Sequence, residues 1–232
     1  MTSNDAEPIS FPPWRVAILA FDGVEALDFA GPFEVFTTAS RMHRRTLSPD
    51  TAAMTPDVFE VFSVSAAGAK GTVTARAGLR LLSDHGFDDA PQAGVLIVPG
   101  GVVDQSMASP ATLTWIASQA RSAYVTASVC TGAFLLAASG VIGGGDKVTT
   151  HWEDIADLRA AFPALNPPLA VVEGMRWVDN GKVVSSAGIS AGIDMSLHLV
   201  ERLAGRALAE RTALQMDFGW TKNPSENAPE HA

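Results

Sequence analysis

The amino-acid sequence predicts an α/β protein with a mainly parallel sheet that is covered by helices on both faces. Short unbroken apolar runs, at residues 15–21 (RVAILAF) and 94–98 (GVLIV), have the length and composition of strands buried on both sides. Segments with helical patterning alternate with these runs, as in other α/β folds. Apolar residues make up 47% of the 232 residues and charged residues 18%, which is enough apolar material for a globular core.

The first half of the chain is predicted to contain three strands, one helix and a hairpin. A helix is predicted at residues 33–40, directly after Gly31-Pro32, because proline is favoured in the first turn of a helix. The polar segment Ser40–Asp57 is expected to be a loop. Strands are predicted at residues 15–21, 58–64 and 94–98, with a hairpin formed by residues 73–75 and 79–82.

The second half continues the alternation of strands and helices. Ser109-Pro110 marks the start of a helix that runs to about Ser122. A strand at residues 124–129 then leads into a helix of small residues at 132–138. Further strands are predicted at residues 147–150, 169–173 and 182–185, the last two around an Asn180-Gly181 turn, and further helices at 152–161, 191–203 and 207–218.

A single domain is predicted over residues 14–220. Residues 1–13 and 221–232 are polar and rich in proline, and are expected to be flexible tails. Residues 1–13 also lack the basic start and apolar core of a secretory signal, so a cytoplasmic location is expected.

Composition and charge exclude several classes of protein. Sixteen Lys and Arg against 25 Asp and Glu give a net charge of −9, and without a strong basic cluster we expect no nucleic-acid partner. No apolar run approaches the roughly 20 residues that span a bilayer, so we expect no membrane insertion. The sole cysteine rules out an internal disulfide, and no metal-ligand cluster or nucleotide motif appears, so no cofactor is expected.

Cys130 is the first candidate catalytic residue. It follows the predicted strand 124–129 and precedes Thr131-Gly132 and a helix, which is the pattern of a nucleophile elbow. Such a turn holds a side chain at the carboxyl edge of a parallel sheet, where ligands bind. The helix start is expected to favour the thiolate. The alternative is that Cys130 is a small buried apolar residue.

Asp28 is the second candidate, and Gly100 and Gly101 are possible binding residues. Asp28 is flanked by Leu27 and Phe29 between the first predicted strand and helix, where a carboxyl group is costly unless it is partnered, capping a helix or catalytic. Glu25 and Asp22 compete for the same role. Gly100 and Gly101 end another strand, and their amides are expected to form, with the amide of Thr131, an anion-stabilising pocket.

His151 is a candidate with two equally supported interpretations. It follows the predicted strand 147–150, which places it near the elbow, so a Cys/His pair is conceivable. It is equally consistent with capping the next helix or packing beside Trp152.

Five motifs together resemble the ThiJ/PfpI superfamily, and within it the isocyanide hydratase branch most closely. They are LDFAGP at 27–32, VPGG at 98–101, SVCTG at 128–132, TTHW at 149–152 and AGISAGID at 187–194. The resemblance implies a flavodoxin-like three-layer sandwich, usually a homodimer, and a hydro-lyase that converts an organic isocyanide and water to an N-substituted formamide without a cofactor. The amino-terminal domains of AraC-type regulators share these motifs.

The resemblance also implies roles for individual residues. Cys130 would attack the isocyanide carbon and form a thioimidate, Asp28 would move protons and activate water, and Thr131 would tune the thiolate and position Asp28. Thr131 stands where the peptidase-like branch has histidine, and Asp28 where the deglycase-like branch has glutamate. The alternatives are a ligand-binding or redox-sensing protein, and a glyoxalase or deglycase-type enzyme.

Overall fold

A six-stranded sheet forms the centre of the protein. The computed structural model describes residues 13–221, so the expected tails lie outside the described residues except for Pro13 and Thr221. Neighbouring strands are parallel except for the last pair. This sheet confirms the predicted fold class. Its strands, in spatial order, are β2 (Phe59–Val64), β1 (Trp14–Leu19), β5 (Val95–Val98), β6 (Val125–Val129), β10 (Val183–Ser186) and β9 (Trp177–Asp179).

Two groups of helices pack against this sheet. The first group is α1 (Ala26–Arg44), α7 (Ala191–Ala204) and α8 (Arg206–Gln215), and the second is α3 (Asp104–Met107), α4 (Pro110–Ser122) and α5 (Gly132–Ala138). Side chains of the central strands, such as Ile18, Leu96 and Ala127, are completely buried. Burial on both sides explains why these strands are apolar throughout instead of alternating.

Smaller elements surround the sheet. They are α2 (Pro49–Met54), β3 (Thr72–Thr74), β4 (Arg80–Leu82), β7 (Lys147–Val148), a 3-10 turn (Trp152–Asp154), α6 (Ile155–Ala161) and β8 (Ala170–Val171). The predicted hairpin is confirmed, because β3 and β4 pair antiparallel. No helix among residues 13–221 is long and apolar enough to cross a membrane.

The first helix begins earlier than the sequence predicts. The prediction placed its start after Pro32, but α1 starts at Ala26 and contains Pro32 in its second turn. Proline there removes the hydrogen bond to the carbonyl of Asp28, four residues back, and crowds that carbonyl with its ring, and burial of the adjoining apolar residues outweighs this cost. Asp28 consequently lies in the first turn of the helix and not before it.

Three other predictions need correction. The segment Ser40–Asp57 is not a continuous loop, because α1 extends into it and Ser48 caps the short helix α2. The strands predicted at residues 147–150 and 169–173 pair only with each other, outside the central sheet. The strand that precedes the Asn180-Gly181 turn is β9, and not the strand predicted at 169–173; β9 pairs antiparallel with β10.

Candidate active site

Cys130 lies in a tight turn between β6 and α5, as the sequence predicts. Its backbone has a φ of 56°, the left-handed conformation that side-chain-bearing residues rarely adopt. The Cys130 N–H donates to the carbonyl of Ser186 (3.1 Å), and its own carbonyl accepts from the Thr150 hydroxyl (2.9 Å). A side chain at Gly132 would collide with the carbonyl of Val98 at 2.1 Å, which explains the glycine there. These contacts hold the elbow in its strained form.

The strain at the elbow can be measured by comparing two substitutions. Cys130→Gly is expected to be more stable to urea than Cys130→Ala by about 1 kcal/mol, because only glycine adopts a positive φ without steric cost. Equal stability of the two variants, or a more stable alanine variant, would show that residue 130 is not held in this conformation.

Asp28 is buried next to the elbow and is completely inaccessible to solvent. Its Oδ2 accepts the Gly100 N–H at 3.2 Å, whereas Oδ1 has no hydrogen-bond partner among the described residues. Burial is the largest cause that raises the pKa of Asp28 to about 7, and the nearby Glu25 carboxylate raises it further. A carboxyl group with this pKa can both accept and release a proton at neutral pH.

The Cys130 side chain is also largely buried and interacts with Asp28. Burial raises the pKa of the Cys130 thiol to about 12, the Asp28 carboxylate adds to this rise, and the Thr131 N–H opposes it. The Thr131 N–H at the helix start favours the thiolate, as expected, but desolvation and the neighbouring negative charge outweigh it, so the thiol form predominates. Above about pH 7 the pair consists of an Asp28 carboxylate and a Cys130 thiol.

The amides of Gly100 and Gly101 are already engaged within the protein. The Gly100 N–H donates to Asp28 at 3.2 Å. The Gly101 N–H donates to Oγ1 of Thr131 at 2.9 Å, and the same hydroxyl donates to the Gly101 carbonyl, also at 2.9 Å. The expected anion-stabilising role is thus not available to these two amides, since both bonds bind the turn to its neighbours. Thr131 is linked to Asp28 only through this turn, while its N–H faces Cys130.

His151 satisfies part of both interpretations. Its Nδ1 accepts the Glu153 N–H at 3.4 Å, which caps the 3-10 turn, and its ring lies 5.7 Å from that of Trp152. The ring also packs tightly on Gly188, where a Cβ would lie 2.1 Å from Cδ2. His151 nevertheless lines the same cavity as Cys130, so it forms part of the wall around that cysteine.

A cavity of about 630 Å³ opens over Cys130 and Thr131. Phe134, Met107 and Ile189 form apolar parts of its wall. The charged residues of its wall are Glu25, Arg76, Asp104, Glu153, Asp154 and Asp157. Of these, the sequence analysis identifies only Glu25 as a candidate, because the loops and helices that carry the other five come together only in the fold.

A second cavity of about 770 Å³ adjoins the first and shares His151, Glu153 and Ile189 with it. It is larger, but both arginines of its wall are engaged in ion pairs: Arg159 with Glu173 of the same wall, and Arg176 with the buried Asp194 outside it. Cys130 lines the smaller cavity and not the larger one, so the smaller cavity is the candidate active site. Within residues 13–221 no group of three or more His, Cys, Asp or Glu side chains is arranged to hold a metal ion.

The sheet, the strained cysteine elbow and the buried acid define an α/β protein with a cysteine-based site at the carboxyl edge of its strands. The chain belongs to the DJ-1/PfpI family, whose model matches residues 14–202. It is 31% identical to the isonitrile hydratase of Pseudomonas putida over 206 residues, which cover 88% of this chain and 78% of that protein.

Other relatives differ in the activity that their names describe. The chain is 30% identical to the HTH-type transcriptional regulator GbdR of Pseudomonas aeruginosa over 197 residues, covering 85% of this chain but only 48% of the regulator. The crystal structure of a ThiJ/PfpI family protein from Pseudomonas syringae superposes with a TM-score of 0.74 at 25% identity, covering 95% of this chain and 83% of that one. The family therefore includes enzymes and regulators.

Proposed function

We propose that this protein is a cofactor-independent isocyanide hydratase, which adds water to an organic isocyanide to give an N-substituted formamide. The observation that carries the proposal is the buried pair of Asp28, with a pKa of about 7, and the Cys130 thiol beside it under an open cavity. The similarity to isonitrile hydratase over most of both chains supports the same reaction.

The first half of the proposed reaction forms a thioimidate. The Asp28 carboxylate accepts the Cys130 proton while the sulfur attacks the terminal isocyanide carbon, a soft electrophile suited to sulfur. The new C–S bond leaves an electron pair on that carbon, and Asp28 returns the proton to it. The product is R–N=CH–S–Cys130, with no net proton gained or lost. One carboxyl group thus acts first as base and then as acid.

The second half hydrolyses this intermediate. Asp28 accepts a proton from water as the oxygen attacks the thioimidate carbon and passes it to the nitrogen, which gives R–NH–CH(OH)–S–Cys130. The hydroxyl oxygen then forms the carbonyl as the C–S bond breaks, the hydroxyl proton goes to the sulfur through Asp28, and R–NH–CHO leaves. The sum is one isocyanide and one water to one formamide. The Thr131 N–H, which lowers the pKa of Cys130, is placed to stabilise sulfur as the leaving group.

The assay that tests the proposal measures formamide formed from para-substituted phenyl and cyclohexyl isocyanides in ¹⁸O-labelled water. The purified protein is expected to form formamide that carries one ¹⁸O atom in its formyl group. Heat-denatured protein at the same concentration gives the background rate. No formamide above this background from any isocyanide of the series would refute the proposed function.

The pH dependence of the reaction follows from the Asp28 pKa. The proton-accepting form of Asp28 is lost below about pH 7, so kcat/KM is expected to fall about tenfold per pH unit there and to be level above it. Glu25→Gln should move this limb to lower pH, because the Glu25 carboxylate raises the pKa of Asp28. A limb near pH 4 in the wild type, the ordinary range of aspartate, would contradict the assignment.

Ligand binding without turnover is the second candidate, and the similarity to GbdR favours it. A ligand that binds with no formamide released would support this role. Redox sensing fits less well, because oxidation by peroxide follows the thiolate and the Cys130 thiol has its pKa raised to about 12. Release of lactate from methylglyoxal would instead identify a glyoxalase-type enzyme.

A further inference from the structure

We propose that the site selects isocyanides that carry a cationic group, such as an ammonium or quaternary ammonium, on the substituent R. This inference rests on the proposed function and names its substrate class. It depends on the charges that line the cavity over Cys130. Carboxylates outnumber arginines there by five to one: Glu25, Asp104, Glu153, Asp154 and Asp157 against Arg76, with His151 as the other titratable group of the wall.

The contacts within this wall leave negative charge unbalanced. Arg76 lies 3.8 Å from Glu25, so the one arginine is already paired. Nδ1 of His151 lies 3.7 Å from Oε2 of Glu153 and 3.5 Å from Oδ2 of Asp154, but an imidazole whose Nδ1 accepts the Glu153 N–H carries no proton there to balance either carboxylate. Neither Asp104 nor Asp157 has an ion-pair partner among residues 13–221.

Asp104 and Asp157 face the cavity from different elements. Asp104 lies in the first turn of α3 and Asp157 in the first turn of α6, and both are solvent-exposed. Cys130, in contrast, is only 7% exposed. A substrate whose isocyano carbon reaches the sulfur therefore extends its substituent R toward the exposed carboxylates. This arrangement separates the reacting carbon from the group that is recognised.

The electrostatic consequence has a definite sign. A cleft lined with charges of one sign concentrates ions of the opposite sign, and such focusing changes association rates by about 10- to 1,000-fold. Anionic substrates meet the carboxylates of the wall and then the carboxylate of Asp28 below it. Since Asp104 and Asp157 are exposed, the selection is expected to weaken as salt is added.

A matched series of isocyanides measures this selection. 2-Isocyanoethyl-trimethylammonium and 3,3-dimethylbutyl isocyanide have the same shape and differ by one charge, and 3-isocyanopropanoate supplies the anion. At low ionic strength kcat/KM is expected to be at least tenfold higher for the cation than for its neutral isostere, and lowest for the anion. The double variant D104N/D157N should reduce the ratio of cation to neutral at least fivefold. The control D50N removes one exposed carboxylate that does not line the cavity, and should leave the ratio unchanged.

A second measurement is independent of hydration. Since Cys130 is the sole cysteine, methanethiosulfonates that carry an ethyltrimethylammonium or an ethylsulfonate group report access to it directly by mass increase. The cationic reagent is expected to react at least tenfold faster in the wild type, and this preference should shrink in D104N/D157N but not in D50N. Equal rates, or a preference that D50N reduces as much, would overturn charge selection. Charge-selective labelling without formamide from any isocyanide would refute the hydratase and leave the selection standing.

Discussion

Replacing Cys130 by alanine is expected to abolish formamide formation, with a loss of at least about 10⁴-fold in kcat. The reaction needs a nucleophile that bonds to the isocyanide carbon and later leaves, and the chain has no second cysteine. Water is not expected to replace the sulfur, because Cys130 is buried and such a site favours a soft, weakly hydrated nucleophile. The measurement is labelled formamide per enzyme under single-turnover conditions.

Two controls keep this result interpretable. Cys130→Ser replaces the thiol with a hydroxyl, which is similar in shape but a poorer nucleophile, and is expected to be nearly as inactive as the alanine variant. Both variants are expected to keep the positive φ that Cys130 has, so near-UV circular dichroism should match the wild type. Formamide formation by a folded alanine variant at more than a tenth of the wild-type rate would remove the covalent mechanism.

Replacing Asp28 by asparagine is expected to lower kcat/KM by about 10²- to 10⁴-fold and at the same time to stabilise the fold at neutral pH. Asparagine keeps an oxygen that accepts the Gly100 N–H, so the turn is preserved. It cannot accept and return a proton, so both halves of the reaction are slowed. The stability gain arises because the folded protein no longer contains a buried carboxylate.

The sign and size of that gain follow from the pKa. Folding raises the pKa of Asp28 from 3.8 to about 7, so the folded state binds its proton more tightly than the unfolded state does. The wild type therefore loses stability as pH rises from about 4 to 7, by about 4 kcal/mol in all, and the variant does not. Urea unfolding at pH 4 and pH 8 should show the advantage of D28N growing by this amount. An advantage that is the same at both pH values would contradict the raised pKa.

Much of the site could be predicted from local sequence. The apolar run before Cys130 and the glycine after it predict the elbow, since a strand, a tight turn and a helix of small residues leave few other arrangements. The apolar neighbours of Asp28 indicate a special role, because a carboxyl group in such a segment is costly without a partner, and the structure places it beside Cys130.

Other features depend on contacts between distant segments. The pKa values of Cys130 and Asp28 reflect burial and each other's charge, and no local pattern reports either. The glycine-rich turn predicts that the amides of Gly100 and Gly101 are available to a ligand, yet they donate to side-chain oxygens of Asp28 and Thr131. Likewise, the acidic wall joins residues from α3, α6 and the start of α1, which are far apart along the chain.

By itself the sequence determined the class of fold, the turn that holds Cys130 and the unusual acid Asp28, because strand and helix patterns and tight turns are set by neighbouring residues. The tertiary structure decided the protonation state of Asp28 and Cys130, the partners of the turn amides and the charge of the cavity. These depend on solvent exclusion and on distances between side chains, which exist only once the chain has folded.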